Sequence, residues 1–283
     1  MGRLKDKMIK DMELRGFSPR TKQTYVEWVW RLSKQNGKSP DLLGDEEIRD
    51  FLHYLLKDRQ AKQSTVNQAY SAFRFFYKVT LERNWNEEKT PRSKQPKKLP
   101  VVLSMEEVEK VFKNTNNLKH KAILMTIYSG GLRRDEAVNL KIEDIDSKRM
   151  MIKVHGKGSK DRYTLLGENA LDILRTYWKV YQPTSYLFPS RTKDQHIDAS
   201  TVGKVFKTSV KLSNILKKAS LHTLRHSFAT HLLESGADIY YIQKLLGHSS
   251  VKTTEIYLHV AKRDIVKIKS PIDLLKDDDE PEI

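Results

Sequence analysis

The segment from Leu221 to Leu233, LHTLRHSFATHLL, combines the pattern of a buried helix with several protonatable side chains. Its apolar residues recur every fourth position, at Leu224, Phe228 and Leu232. That spacing predicts one buried stripe on an amphipathic helix. His222 and Arg225 are three positions apart, so they lie on one side of its first turn. The segment therefore predicts a helix that holds these two groups toward one target.

A zinc site is an alternative for the same helix, because His222 and His226 have i, i+4 spacing. It is a weak alternative. Thr223 and Leu224 stand where a metalloprotease motif needs glutamate, and no third ligand is evident. We expect His226 and His231 to be structural or solvated.

The charge balance points to a polyanionic partner. The chain has 283 residues, 52 of them Lys or Arg and 36 Asp or Glu, for a formal net charge of +16. Nucleic acid is the first candidate, because neutralising phosphates with Lys or Arg releases counterions and adds affinity. A chain of this length is expected to form two domains.

Other composition features limit the class of protein. The longest apolar run, residues 122–128, is far too short to cross a bilayer, and the N-terminus MGRLKDKMIK has no apolar export signal. No cysteine is present, which excludes disulfides, thiolate nucleophiles and Cys-ligated zinc. We expect no membrane partner and a cytoplasmic, DNA-associated location.

Helical spacing dominates residues 1–85. Ser18 is expected to cap a helix that has Pro19 in its first position, and Asp45 is expected to cap a later one. The proline-containing, basic segment 86–100 then predicts an interdomain linker.

Helices and one hairpin are predicted for the second domain, residues 101–263. Ser104 and Glu107 form a capping-box pattern, and a helix should end at Gly130 and Gly131. The β-like runs RMMIKV and RYTLL flank the Gly-containing HGKGSKD and predict a hairpin. The fold class is therefore mainly α with a small antiparallel β-sheet.

Four motifs in this second domain carry candidate site residues. They are GLRRDE with Arg133 and Glu136, GKGSK with Lys157, HTLRH with His222 and Arg225, and LLGHSSVKTTEIYLH with His248 and Tyr257. Each has an ordinary structural explanation when taken alone. Lys157 can decorate a turn, His248 can satisfy helix-terminal carbonyls, and Tyr257 can be a core aromatic.

Together the motifs resemble the tyrosine recombinases, the lambda-integrase and Xer-like family of site-specific DNA recombinases. The order Arg, Lys, His-x-x-Arg, His, Tyr is similar to that family's catalytic set, and GFSPRTKQTYVEWVWRL is similar to its N-terminal core-binding domain. Two departures leave the subfamily open: LRRDE is polar where many relatives have an apolar pair, and DRYTLLG lacks the usual Arg-x-Val-Pro.

The resemblance implies a helical, SAM-like core-binding domain and an α+β catalytic domain that form a C-shaped clamp on DNA. It implies that Tyr257 is the nucleophile of a 3′-phosphotyrosyl intermediate and that Arg133 and Arg225 hold the scissile phosphate. When a phosphodiester is attacked, negative charge builds up on its non-bridging oxygens, and two guanidiniums can stabilise that charge.

The same resemblance implies roles for the remaining groups. His222 would be the acid/base partner of the tyrosine, His248 a hydrogen-bond donor to the phosphate, and Lys157 the general acid for the leaving 5′ oxygen. Glu136 would orient the arginines. No cofactor and no metal are expected.

Double-stranded DNA with inverted-repeat half-sites is the expected partner, bound by a homotetramer in the synaptic complex. The segment 264–283 holds a candidate helix that docks on a neighbouring subunit, with apolar residues at Ile265, Ile268, Ile272 and Leu275. Two alternatives stay open at this point: a catalytically inert DNA-binding protein with this fold, and a type IB topoisomerase-like nicking-closing enzyme.

Overall fold

The computed structural model describes residues 2–93, 99–156, 161–192 and 195–261. The chain divides into two compact units, Met1–Lys97 and Lys98–Ile283. In the described part of the chain, no helix is both long and apolar enough to cross a membrane.

Four α-helices are described in the first unit: α1 (Gly2–Glu13), α2 (Pro19–Asn36), α3 (Asp45–Lys57) and α4 (Gln63–Phe75). The predicted start of α2 is confirmed, because the Ser18 hydroxyl accepts a hydrogen bond from the Thr21 N–H and Pro19 is the first helical residue. The predicted cap of α3 is wrong. Asp45 is already helical, and Gly44 is the N-cap, with its N–H donating to the Glu47 carboxylate at 2.9 Å.

The core of the first unit is rich in aromatic side chains. It includes Trp28, Phe51, Tyr70, Phe73, Phe76 and Tyr77 together with Met8, Met12 and Leu32. The chain beyond α4 also packs onto this unit: Thr90 is buried, and the Asn67 side chain donates to the Ser93 carbonyl at 2.9 Å. The first part of the predicted linker 86–100 is therefore attached to the helical unit.

Seven α-helices and one sheet are described in the second unit. The helices are α5 (Met105–Lys113), α6 (Leu118–Gly130), α7 (Arg134–Val138), α8 (Glu168–Tyr181), α9 (Ala199–Leu212), α10 (Leu221–Glu234) and α11 (Ile239–Leu246). The predicted capping box at the start of α5 is confirmed, with the Ser104 N–H donating to Glu107 at 2.8 Å.

The sheet is small and antiparallel, as predicted. Its strands β1 (Ile145–Asp146), β2 (Met151–Val154) and β3 (Arg162–Leu165) lie in the order β1-β2-β3. The β2 and β3 pairing runs from Met151 opposite Leu165 to Val154 opposite Arg162. The predicted hairpin is therefore confirmed, while the turn residues 157–160 lie outside the described residues.

Helix α10 is the central element for the site. Leu224 and Phe228 are buried as predicted, but the third buried position is Leu233, and Leu232 is only half-buried. The side chains of Ser227, Ala229 and Thr230 are also buried, so neighbours surround most of the helix. Its first turn, by contrast, leaves His222 exposed. This packing holds the polar end of α10 in one position.

Candidate active site

A tight turn between α6 and α7 aims Arg133. Gly131 has a left-handed backbone (φ 57°), and a β-carbon there would lie 2.3 Å from the Phe228 ring. Only glycine therefore allows α6 to end this close to α10. Two residues later, both the backbone N–H and Nη1 of Arg133 donate to the Glu136 carboxylate at 2.7 Å.

Arg225 is fixed by two helix ends. Its side chain is 1% exposed, and its guanidinium donates to the Gly131 carbonyl at 2.7 Å and the Leu246 carbonyl at 2.6 Å. Its Nη1 also lies 3.7 Å from a Glu136 oxygen. Burial, with a contribution from Arg133, lowers the pKa of Arg225 to about 10, so the group is protonated at neutral pH.

Glu136 contacts the guanidiniums of Arg133, Arg162 and Arg225. Burial alone would raise its pKa, but hydrogen bonds and charge from Arg162, together with hydrogen bonds from Arg133, lower the pKa of Glu136 to about 2. The carboxylate is therefore ionised at neutral pH. It accepts from Arg133 and Arg162 and lies 3.7 Å from Arg225, and its role in orienting the arginines stays a prediction.

Arg162 is a site residue that sequence reasoning missed. It opens β3, donates from Nη1 and Nη2 to the two oxygens of Glu136 at 2.9 and 2.8 Å, and donates from Nε to the Leu245 carbonyl at 2.8 Å. The only signal in the sequence was an arginine directly after the predicted turn. Its partners are 26 and 83 positions away, so no local pattern could identify them.

His248 follows the helix end at Gly247 (φ 64°). Its Nδ1 lies 2.9 Å from the Thr254 hydroxyl, which orients the ring. Burial, followed by the charges of Arg225 and Arg133, lowers the pKa of His248 to about 4. The ring is therefore neutral at physiological pH and lies within the field of both arginines.

Tyr257 lies in a short 3₁₀ helix, Glu255–Tyr257, and is 2% exposed. Burial raises its pKa, while Arg225 and Arg133 act in the opposite direction. Its hydroxyl lies 3.1 Å from Nδ1 of His226. His226 was expected to be structural or solvated; instead it contacts the candidate nucleophile.

His222 packs against His226 rather than standing alone. The two rings meet edge to face with centroids 4.6 Å apart. Partial burial, Arg225 and Arg133 lower the pKa of His222. The spacing that suggested a zinc site thus brings two neutral imidazoles together beside a buried tyrosine.

The structure brings Arg133, Glu136, His222, Arg225 and His248 into one cluster, with Tyr257 beside it. Lys157 lies outside the described residues. Within the described ranges, no group of three or more Asp, Glu or His side chains is placed to hold a metal ion. Two fixed guanidiniums beside neutral imidazoles and a phenol suit a phosphodiester substrate.

Comparison with known proteins establishes the family. Residues 101–264 match the phage integrase family, and residues 4–87 match its N-terminal SAM-like domain. The provisionally named integrase/recombinase y4qK of Sinorhizobium fredii is 44% identical over 274 residues, which covers 96% of this chain and 89% of that protein. The tyrosine recombinase XerD of Staphylococcus saprophyticus is 32% identical over 246 residues, covering 81% and 82%. The chain therefore belongs to the phage integrase family, the tyrosine site-specific recombinases.

Solved structures agree at the level of the fold. XerH recombinase bound to palindromic difH substrate superposes with a TM-score of 0.73 at 21% identity, covering 89% of this chain and 80% of that one. A lambda integrase tetramer bound to a Holliday junction also has a TM-score of 0.73, at 17% identity, covering 95% and 80%. The predicted fold class, a helical SAM-like domain followed by a catalytic domain with a small sheet, is confirmed, as is the prediction of a recombinase enzyme.

Proposed function

We propose that this recombinase cleaves and rejoins DNA strands through a 3′-phosphotyrosyl intermediate on Tyr257. The observation that carries the proposal is the position of Arg225. Two backbone carbonyls hold its guanidinium, Glu136 links it to Arg133, and its charge acts on Tyr257. A buried cation held this rigidly stabilises developing negative charge without having to reorganise.

The chemistry follows from these groups. The Tyr257 oxygen attacks phosphorus, Arg133 and Arg225 hold the non-bridging oxygens, and the bond to the 5′ oxygen breaks. Lys157 gives that 5′ oxygen a proton. The 5′ hydroxyl of another strand then attacks the phosphotyrosine and restores a phosphodiester. The covalent link conserves the bond, so strand joining requires no ATP.

The family resemblance supports the roles of the two remaining histidines. His248 hydrogen-bonds the phosphate. The charges of Arg225 and Arg133 both act on its ring, which supports a position beside the phosphate that these arginines hold. His222 belongs to the acid/base system of Tyr257. It is the one exposed side chain in the otherwise buried first turn of α10, where a bound phosphate can reach it.

Covalent trapping tests the proposal. The test uses a suicide substrate, a nicked duplex whose recombination site has been located by footprinting on the flanking DNA. The nick lets the cleaved end diffuse away, so the covalent intermediate is trapped. The protein should form an SDS-stable adduct with it. Tyr257→Phe should bind the DNA but form no adduct, because it lacks only the nucleophilic oxygen.

Tyr240 and Tyr241 provide matched controls on α11, since both side chains are exposed. Tyr240→Phe and Tyr241→Phe should form the adduct normally. An adduct with Tyr257→Phe would refute the assignment. Binding without any adduct in the unchanged protein would favour the inert DNA-binding alternative. Adduct formation without strand exchange between two sites would favour the topoisomerase-like alternative.

We propose double-stranded DNA as the partner and a homotetramer as the assembly that joins two duplexes. The formal charge of +16 supports the first part. The solved structures of related fold are a DNA-bound recombinase and a tetramer on a Holliday junction, which supports both parts.

An apolar groove in the second unit is the proposed contact between subunits. It has a volume of about 1340 Å³ and is lined by residues that include Met105, Phe112, Met125, Leu165 and Leu232. The segment 264–275 lies outside the described residues and carries four apolar side chains at helical spacing. We propose that this segment of one subunit occupies the groove of the next.

Two changes test that contact. Deleting residues 264–283, or replacing the partly exposed Leu165 by Glu, should spare binding to one site but abolish synapsis. Leu212→Glu is the matched control, because Leu212 is exposed on α9 and is not among the groove residues. Normal recombination by the truncated protein would refute the contact.

A further inference from the structure

Two histidine–tyrosine pairs share helix α10. Nδ1 of His226 lies 3.1 Å from the Tyr257 hydroxyl, and Nδ1 of His231 lies 2.8 Å from the Tyr128 hydroxyl. The two pairs have the same chemistry and almost the same geometry. Only the first contains the candidate nucleophile.

We infer that His226 is a further catalytic residue, the base that receives the proton of Tyr257 when the tyrosine attacks DNA. The inference rests on the proposed function of Tyr257. It assigns to His226 a step that the family resemblance gives to His222.

The geometry supports a direct transfer. A phenol has one hydrogen to donate, and the described acceptor beside the Tyr257 oxygen is Nδ1 of His226. With the hydrogen on that side, the oxygen lone pairs are free for phosphorus. Tyr257 is 2% exposed, so water has little access to the hydroxyl in place of the imidazole.

The surroundings keep His226 ready to accept. Burial, His222 and Arg225 lower the pKa of His226 to about 4, so the ring is neutral before reaction. With its own hydrogen on Nε2, the neutral ring presents a free lone pair at Nδ1. The groups facing it are Tyr257, Arg225 and the ring of His222.

A weak base is adequate for this step. The phenolic proton is hardly acidic in the free tyrosine, but it becomes strongly acidic as the oxygen forms its bond to phosphorus. The proton then moves to Nδ1 of His226 while Lys157 protonates the departing 5′ oxygen. In the reverse reaction the imidazolium returns the proton to the tyrosine as the phosphotyrosine bond breaks. The scissile phosphate, near Arg225, also offsets the positive charge that disfavours the imidazolium.

Single-turnover cleavage of the suicide substrate tests the inference. His226→Phe keeps a ring of similar size but cannot take a proton. Its cleavage rate at neutral pH should fall by roughly a hundredfold or more, the usual contribution of a general base. His226→Asn places an amide oxygen near the Nδ1 position and accepts a hydrogen bond, yet it cannot hold a proton. His226→Asn should therefore fold normally, and its cleavage rate should still fall more than tenfold.

The matched control is His231→Phe, which removes the equivalent contact to Tyr128 on the same helix. His231 and Tyr128 also line the groove proposed as the contact between subunits, so the comparison uses a substrate with a single half-site, on which His231→Phe should cleave at the unchanged rate. DNA binding and thermal unfolding are measured for all three variants, and if His226→Phe does not fold, His226→Asn carries the test.

The pH profile separates a base from a packing role. Without the base, cleavage depends on prior ionisation of Tyr257. The rate of the His226 variants should therefore rise about tenfold per pH unit and approach that of the unchanged protein at high pH. Cleavage by both variants within threefold of the unchanged rate, or a deficit that is constant across pH, would overturn the inference. Failure of the proposed function has a different signature: no adduct forms even with the unchanged protein and His231→Phe.

Discussion

Arg162 and Glu136 form a two-pronged ion pair, in which Nη1 donates to Oε1 at 2.9 Å and Nη2 donates to Oε2 at 2.8 Å. The pair joins the start of β3 to α7. Glu136 in turn accepts from Arg133, so the strand that follows the segment containing Lys157 is tied to an arginine proposed to bind the phosphate. Arg162 also reaches the Leu245 carbonyl near the end of α11. One side chain thus connects two of the four motifs that carry the site, GLRRDE and LLGHSSVKTTEIYLH.

Replacing Arg162 tests this connection. Arg162→Ala leaves Glu136 with a buried, partly unpaired charge and should lower the free energy of unfolding by about 3 kcal/mol. Arg162→Lys keeps the charge but not the paired geometry, so its free energy of unfolding should fall by less than that of Arg162→Ala. Both should slow DNA cleavage at least tenfold. Denaturant unfolding and adduct formation are the measurements, and Arg175→Ala, from the exposed Arg175–Asp172 pair on α8, should change neither.

Substitution of Gly247 tests how closely the end of α11 approaches Arg162. The Gly247 backbone is left-handed (φ 64°), and a β-carbon there would lie 2.8 Å from Cδ of Arg162. Gly247→Ala should therefore lower the free energy of unfolding by about 1 to 3 kcal/mol and displace His248. Gly203 on α9 has open space around it, so Gly203→Ala should stabilise the protein by roughly 0.5 to 1 kcal/mol. Equal effects of the two substitutions would contradict this account.

Arg225 should be indispensable for cleavage. Arg225→Ala removes the cation that is proposed to bind the phosphate and leaves the Gly131 and Leu246 carbonyls without this donor. One comparable donor contributes about 2.7 to 4 kcal/mol to a transition state, so the adduct should fall by a hundredfold or more. Arg134→Ala, which removes the partly exposed neighbour of Arg133, should cleave normally. Substantial cleavage by Arg225→Ala would remove the arginine from the mechanism.

Stability should depend on pH through His226 and His248. Burial, with nearby charges such as Arg225, lowers the folded pKa of each to about 4, whereas unfolded histidine titrates near 6.5. Between about pH 6.5 and 4, only the unfolded state takes up these protons, so the free energy of unfolding falls as pH falls through this window. The loss should be on the order of 3 kcal/mol in total, given their partial exposure.

Denaturant unfolding between pH 7 and pH 4 measures that loss. A double variant, His226→Phe with His248→Phe, should show a flatter dependence, because it lacks both titrating groups. His53→Asn, which changes an exposed histidine on α3, should keep the steep dependence. A double variant as pH-sensitive as the unchanged protein would contradict the assignment.

Affinity for duplex DNA should decrease steeply with salt, because a chain with a formal charge of +16 releases many counterions on binding. For about six phosphate contacts, raising salt from about 50 to 200 mM should weaken binding by roughly a thousandfold. Fluorescence anisotropy with a labelled duplex measures the slope. An affinity that is almost independent of salt would exclude the electrostatic mode of binding.

Local sequence signals predicted the elements well where a side chain acts within one turn. Ser18 and Ser104 cap their helices as expected, since their partners are three residues away. The start of α3 was misplaced by one residue. Glycine has no side chain that could accept a hydrogen bond from the first turn. Here the Gly44 N–H donates to the Glu47 carboxylate. The stripe on α10 was correct at Leu224 and Phe228 and wrong at its end, where several elements surround the helix.

The sequence by itself determined the class of elements, the order of the candidate catalytic groups and the basic charge, because these depend on residue type and short spacing. Only the tertiary structure decided which groups touch. His222 and His226 are one turn apart on the same helix, and no spacing rule tells which of them meets a tyrosine 31 positions from His226. Arg162 likewise gained its role from a carboxylate 26 positions away. Contacts of this range depend on how helices and strands pack, since packing brings together side chains that local sequence patterns treat as independent.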